Sequence, residues 1–135
     1  MEKLNIKDML ETIFIKLMEN ETISENCEGR IKYYEIPETM EADGKPLIII
    51  TPLSPHKPTN FGSNEELNIE FTYQIDVQSN DRKLSKLLQF NIKNSLKSLN
   101  FYQIDGGLDE YFEVTKRFVD ARRYRGQSKI YDINY

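Results

Sequence analysis

One stretch of strict alternation constrains the fold of this chain more than any other feature. From Leu67 to Val77, apolar and polar residues alternate without interruption. The apolar positions are Leu67, Ile69, Phe71, Tyr73, Ile75 and Val77, and the polar ones are Asn68, Glu70, Thr72, Gln74 and Asp76. Because side chains along a strand point alternately to opposite faces, this pattern predicts a long strand with one buried face and one solvated face. The chain must therefore build a sheet that is covered on one side.

Two amphipathic helices can supply that cover. The first is predicted from Ile6 to Glu19, where apolar residues recur at helical spacing. The second follows the long strand, and the polar run 79–81 ends in Asp81, a good N-cap. Its apolar stripe consists of Leu84, Leu87, Leu88, Ile92, Leu96 and Leu99. Residues 20–29 are polar, and we expect them to form a connection.

The other strands are shorter. Arg30–Ile36 and Leu47–Thr51 are predicted to pair as a hairpin. After the second helix, a strand at 101–104, a turn at Asp105–Gly107 and a strand at 112–120 are expected. The order is αβββαββ in one domain spanning residues 1–135. We predict an α+β fold, an antiparallel sheet with both helices packed on one face.

The segment from Pro52 to Glu66 is predicted to be a long loop. It holds Pro52, Pro55 and Pro58 and few apolar residues. Long loops in small domains are usually functional or mobile. We expect this one to be mobile in the isolated subunit and to become ordered on assembly, with Phe61 as its apolar anchor.

The composition of the chain argues against two classes of partner, nucleic acids and membranes. Eighteen basic and twenty-two acidic residues give a net charge of −4, which argues against general nucleic-acid binding. The longest apolar run, Leu47–Ile50, is too short to cross a bilayer, and the N-terminus lacks the layout of a signal peptide. A single cysteine, Cys27, excludes an intrachain disulfide and suits a reducing cytosol. We therefore expect folding inside a cell and no membrane partner.

No set of residues predicts catalysis, a metal or a cofactor. His56 lies between two prolines without a nearby second ligand, so an exposed loop histidine is favoured. Cys27 lacks a basic neighbour that would stabilise a thiolate. The remaining candidates for acid–base chemistry are Asp105, Asp109, Glu110 and Glu113, in a polar segment. Nothing apolar surrounds them to raise a pKa, so we expect solvated carboxylates and no enzyme.

The one concentrated charge feature is a basic cluster of Arg122, Arg123, Arg125 and Lys129 around Tyr124. Arginines with an interleaved tyrosine can hold phosphates or stacked bases. The alternative function is accordingly a small nucleic-acid-binding accessory protein. Because the whole chain is acidic, we favour a basic strand edge that pairs with acidic neighbours in the same subunit or an adjacent one.

Two segments carry a family resemblance. The sequence Thr59-Asn60-Phe61-Gly62-Ser63-Asn64 and the strand 71–77 that follows it resemble tail-terminator or tail-completion (head-tail joining) proteins. These occur in long-tailed phages and prophages of Gram-positive bacteria. The resemblance implies a virion structural protein, made in the host bacterial cytoplasm, with no catalytic residues. It further implies a homo-oligomeric ring, typically hexameric, that caps the tail tube at its head-proximal end and ends tail elongation.

In that setting the ring would contact the major tail tube protein and a head-completion or connector protein, with DNA only as passing cargo. We hypothesise that the interface residues are Phe61, Asn64, Arg122, Arg123, Tyr124, Arg125, Tyr131 and Tyr135. The alternating tail Ile130–Tyr135 could add to a neighbour's sheet edge. Glu66, Glu70 and Asp76 share one face of the long strand, and we hypothesise that this face lines a channel that repels phosphates.

Overall fold

The computed structural model describes residues 6–41, 43–62 and 65–135, which form a six-stranded sheet with helices packed against it. The elements are α1 Met9–Met18, α2 Glu21–Cys27, β1 Ile31–Tyr33, α3 Glu38–Glu41, β2 Leu47–Pro52, β3 Lys57–Gly62, β4 Glu65–Ser79, α4 Arg82–Lys97, β5 Phe101–Phe112 and β6 Arg117–Gln127. The predicted α+β class is confirmed. The sheet is mixed and mostly antiparallel.

The alternating strand β4 is at the centre of the sheet. The strand order is β1-β2-β4-β6-β5, and β3 pairs with the first half of β4. Its apolar positions from Ile69 to Val77 are buried against the helices, as the pattern predicts. Among the described residues of the polar face, Asn68 is buried, and its amide is satisfied there by donating to the Ser128 carbonyl at 2.9 Å.

The predicted hairpin of the first two short strands is wrong, because β1 and β2 are parallel. The chain between them, which includes α3, crosses back so that both strands start at the same end. The side chain of Arg30, just before β1, contacts the segment that precedes β2. Its Nε donates to the Pro46 carbonyl at 2.7 Å, and its Nη2 donates to Asp43 Oδ1 at 2.8 Å.

Two predicted irregular segments contain regular structure. Residues 20–29 include the helix α2, which Asn20 caps and which buries Ile23 and Cys27 one turn apart. The predicted loop 52–66 includes β3, so irregular structure over this whole range is wrong. Pro58 is tolerated in β3 because an edge strand needs hydrogen-bond donors on one side only.

The predicted turn at Asp105–Gly107 is also wrong, because β5 continues through it. The register with β6 shifts between Ile104 and Gly107, which marks a β-bulge. Gly106 and Gly107 have φ of 106° and 109°, values that favour glycine. The chain reverses instead at residues 113–116, and the last strand begins at Arg117 rather than Phe112.

The second predicted helix is confirmed as α4. Its N-cap is Asp81, whose side chain accepts from the Leu84 N–H at 3.1 Å. Leu88, Ile92 and Leu96 are buried against the sheet, but Leu87 is 48% exposed and lies outside the buried stripe. Helices α1, α2 and α4 cover one face of the sheet, which we call the inner face; the opposite face is the outer face.

Candidate assembly surfaces

Strand β6 divides the basic cluster between the two faces of the sheet. Arg122 and Tyr124 pair in register with Ile75 and Tyr73, which belong to the inner face. Arg123 and Arg125 pair with Gln74 and Thr72 on the outer face. The predicted basic cluster is therefore not one surface, because neighbouring residues of a strand point to opposite sides.

Arg122 takes part in an internal ion-pair network. Its Nε donates to Asp120 Oδ1 at 2.9 Å, and Lys86 Nζ lies 2.7 Å from Asp120 Oδ2 and also pairs with Asp109. Asp120 is buried, so two cations surround an almost inaccessible carboxylate. The hydrogen bond that Arg122 donates to the Asp120 carboxylate raises the pKa of Arg122. These ion pairs lie within the subunit, and the interface roles of Arg122, Arg123 and Arg125 stay predictions.

The structure places Tyr124 in the core of the subunit, and its proposed interface role stays a prediction. It is 1% exposed, and its hydroxyl donates to Gln89 Oε1 at 3.0 Å. Gln89 in turn donates to the carbonyls of Ile75 and Asp120. Burial raises the pKa of Tyr124 to about 12. A partner could reach this side chain only if the core opened.

The outer face carries charges of both signs near β3. Glu70 Oε1 lies 3.7 Å from Lys57 Nζ and 3.7 Å from Arg125 Nε, and Arg123 Nε donates to Gln74 Oε1 at 3.2 Å. Glu70 therefore stands among cations, which weakens the argument that this face repels phosphates. The channel assignment for Glu66, Glu70 and Asp76 stays a prediction, and the side chain of Glu66 lies outside the described residues.

Asp76 lies farther along the same face, in a different environment. It pairs in register with Ile49 on one side and Ala121 on the other, both buried. Burial raises the pKa of its carboxyl, although hydrogen bonds from Gln74 and Gln78 oppose the shift. Among residues 6–41, 43–62 and 65–135, no lysine or arginine nitrogen lies within 4.0 Å of it.

Next to Asp76 the outer face forms a hollow of about 340 Å³. We call it the Asp76 hollow. Its lining is mostly apolar and consists of Ile36, Asp76, Gln78, Leu108, Phe112, Glu113, Val114, Thr115 and Val119. Val114, at the turn between β5 and β6, is 98% exposed. The hollow thus combines accessible apolar side chains with acidic groups.

The C-terminal segment packs against its own subunit. The Tyr135 ring meets Phe71 edge-on with centroids 4.9 Å apart, and the Tyr131 N–H donates to the Leu67 carbonyl at 2.7 Å. Residues 128–135 form no strand. The proposed contacts of Tyr131 and Tyr135 with a neighbour stay predictions. The same holds for Phe61, whose side chain is outside the described residues, and for Asn64, which is outside them altogether.

The outward side of α4 is a surface that the sequence analysis missed. Phe90 is 59% exposed beside Leu87, one turn away. The basic residues of this helix are Arg82, Lys83, Lys86, Lys93 and Lys97, and the helix contains no acidic residue. Except for Lys86, they make no ion pair within the part of the chain that the structure describes. The sequence does contain a signal for this surface, since helical spacing places residues 87 and 90 opposite the buried stripe of α4.

This chain was compared with family models, curated proteins and solved structures, and only solved structures match. No family model matches the chain, and no curated protein matches it. Among solved structures, a chain from the virion of a native gene transfer agent particle is similar, with a TM-score of 0.58. The alignment covers 85% of this chain and 90% of that chain at 8% sequence identity. The two share a fold.

The residues considered for chemistry lie apart from these surfaces. His56 is exposed in a loop, as predicted, with its ring 5.3 Å from that of Phe71. Cys27 is buried, and burial raises the pKa of its thiol to about 12. Within the described ranges, no three His, Cys, Asp or Glu side chains converge as metal ligands. Nor is any helix there long and apolar enough to span a membrane.

Proposed function

We propose that this chain is a structural protein of a phage-like particle. The observation that carries the proposal is the fold shared with a gene transfer agent virion chain. Because the alignment spans most of both chains, the likeness concerns the whole domain rather than one recurrent motif. A non-enzymatic role follows from such a place in a particle.

Within the particle, we propose the position of tail terminator. The motif at 59–64 and the strand after it support this assignment through their resemblance to tail-completion proteins. The chain would form a ring of six copies on the last turn of the tail tube, stop tube growth and present a surface for the head-completion or connector protein. DNA would pass through the ring without being held.

The alternative of a nucleic-acid-binding accessory protein gains no support from the placement of the arginines. Arg122 is bound to Asp120, while Arg123 and Arg125 contact Gln74 and Glu70 on the other face. Phosphate binding through this cluster would require breaking these contacts, and the net charge of −4 opposes the approach of DNA.

The experiment that tests the proposal is deletion of the gene from the phage or prophage that encodes it. Electron microscopy of the resulting particles should show tails of uncontrolled length that lack heads, and the wild-type gene supplied in trans should restore joined particles. Normal-length tails attached to heads in the deletion strain would contradict the tail-terminator assignment.

A further inference from the structure

Two surfaces on opposite sides of the subunit remain without a partner. One is the outward side of α4, with Leu87 and Phe90 surrounded by Lys83, Lys93 and Lys97; we call it the α4 face. The other is the Asp76 hollow on the outer face of the sheet. Monomeric proteins seldom leave several large apolar side chains clustered and exposed, so each surface indicates a binding site.

We propose that the α4 face of one subunit docks into the Asp76 hollow of a second copy of this chain. This inference rests on the proposed ring and names the surfaces that join its subunits. Phe90 and Leu87 would enter the hollow and contact Leu108, Phe112 and Val114. The lysines around them would approach Asp76 and Glu113.

The placement of the two surfaces supports a ring rather than a closed dimer. Helix α4 buries Leu88 and Ile92 against the inner face of the sheet, so its outward side points away from the sheet. The hollow opens on the outer face. Docking one surface onto the other therefore joins subunits head to tail, and each subunit keeps one unused surface of each kind. Contacts of this heterologous type generate rings when the rotation closes.

Charge complementarity selects a second copy as the occupant. The exposed basic residues of α4 have no acidic neighbours on their own helix, and the lining of the hollow contains acidic but no basic residues. The exposed Glu110 on β5 adds to the acidic side. Opposite potentials on two surfaces of one chain favour self-association and fix its direction.

Asp76 has a specific place in this contact, which would put it between subunits instead of on the predicted channel face. Its carboxylate is half-buried between Ile49 and Ala121, and in the described part of the chain no cation lies within ion-pair distance. A lysine from the neighbouring α4 face would provide that cation, while its aliphatic stem covers apolar lining of the hollow. The interface would thereby neutralise a charge that has no ion pair among the described residues of the subunit.

Disulfide trapping tests the contact directly. A double variant, Asn94→Cys with Val114→Cys, places one thiol beside Phe90 on the α4 face and one at the Asp76 hollow while Phe90 and Leu87 stay in place. The buried native Cys27 has a thiol pKa of about 12 and stays unreactive. Mild oxidation of the purified chain should give a ladder that extends beyond dimers. High salt should weaken the ladder, because charged surfaces attract less when screened.

The matched control is Ile15→Cys with Val114→Cys, since Ile15 is also exposed but lies on α1. It should give at least tenfold less of the species above dimers. In the wild-type background, Phe90→Ser should weaken self-association at least about tenfold by light scattering, as expected for an aromatic anchor.

Three outcomes would overturn the proposed contact. Absence of any ladder would show that the two surfaces do not meet, and a product limited to dimers would show a two-fold arrangement. Salt-sensitive binding of duplex DNA that Phe90→Ser and Lys93→Glu abolish, without a ladder, would assign the α4 face to nucleic acid. If the trapping experiment gives no ladder but deletion of the gene still yields tails of uncontrolled length, the proposed contact is wrong and the proposed function stands. If the deletion strain makes normal joined tails, the proposed function itself is wrong.

Discussion

At the scale of single residues, Asp76 combines a cost in the monomer with a proposed use in the assembly. Burial raises the pKa of its carboxyl, so the folded chain binds the Asp76 proton more tightly than the unfolded chain does. The contribution of such a group to stability is complete below the ordinary carboxyl pKa and is lost as the pH rises through the raised value. At neutral pH the charged form therefore destabilises the isolated subunit.

We predict that Asp76→Asn stabilises the monomer at pH 7 by about 1 kcal/mol, the usual scale of a single substitution. The amide keeps an acceptor for the Gln74 side chain and removes the charge. Urea unfolding should show the gain at pH 7 and a smaller gain near pH 4. The control Glu113→Gln, at an exposed position, should change little. Destabilisation by Asp76→Asn would contradict this account.

Cys27 and Tyr124 make the fold sensitive to alkali. Burial raises the thiol pKa of Cys27 from 9.0 to about 12 and the hydroxyl pKa of Tyr124 from 10.0 to about 12. The unfolded chain therefore loses these protons at a lower pH than the folded chain does, and the free energy of unfolding must fall as the pH rises above 9.

We predict a decline of up to about 1.4 kcal/mol per pH unit from each group once its unfolded form titrates. Chemical denaturation between pH 7 and 11 should show the decline beginning near pH 9 in the wild type. In Cys27→Ala the decline should begin near pH 10, where the Tyr124 hydroxyl of the unfolded chain titrates. A free energy of unfolding that stays constant to pH 10 in the wild type would be inconsistent with a buried thiol.

At the scale of elements, the bulge in β5 depends on Gly107. Its φ of 109° strains any residue with a Cβ, and a Cβ there would lie 2.1 Å from the Ala121 carbonyl oxygen. That oxygen belongs to the paired strand β6 and cannot move away without breaking the pairing.

We therefore expect Gly107→Ala to destabilise the chain by more than about 2 kcal/mol, measured by thermal or urea unfolding. The control is Gly29→Ala, since Gly29 also has a positive φ of 71° but has nothing within 4 Å of the added Cβ. A similar loss at both positions would mean that backbone strain alone, and not contact with β6, limits the residue at 107.

The elements that the sequence predicts correctly are those whose own pattern decides the structure. Strand β4 alternates over enough residues to fix its buried face, and α4 has both an N-cap and an apolar stripe. The parallel pairing of β1 with β2 is instead accompanied by a contact between residues apart in sequence, the hydrogen bond from Arg30 to the Pro46 carbonyl, which no local pattern shows. The glycine pair at 106–107 fits a turn and a bulge equally well, because both need positive φ.

The candidate surfaces, too, could be predicted from the sequence only where a local pattern determines them. Alternation along β4 places Glu70 and Asp76 on one face. Only the neighbouring strands show that Glu70 has cations beside it and that Asp76 has none within ion-pair distance in the described ranges. The α4 face could have been found from its lysines and from Phe90, since helical spacing determines which residues point outward. The hollow could not, because it joins side chains from three strands and a turn.

At the scale of the whole molecule, the two unpartnered surfaces face opposite ways. A head-to-tail contact between them uses Phe90, Asp76 and the turn at Val114, and it makes all subunits of a closed ring equivalent. The C-terminal segment, which packs on Phe71, belongs to the stable body of the subunit in this arrangement. The ring would then have two exposed rims, available to the tail tube on one side and to the head on the other.

The central claim is that this chain forms the ring between tail tube and head. Cryo-electron microscopy of intact particles from the encoding phage or prophage tests it most directly. The account predicts one ring of this fold, with the six-fold order of the tube, directly above the last tube ring and below the connector. A map in which that layer has a different fold, or in which this chain lies elsewhere in the particle or is missing, would contradict the account.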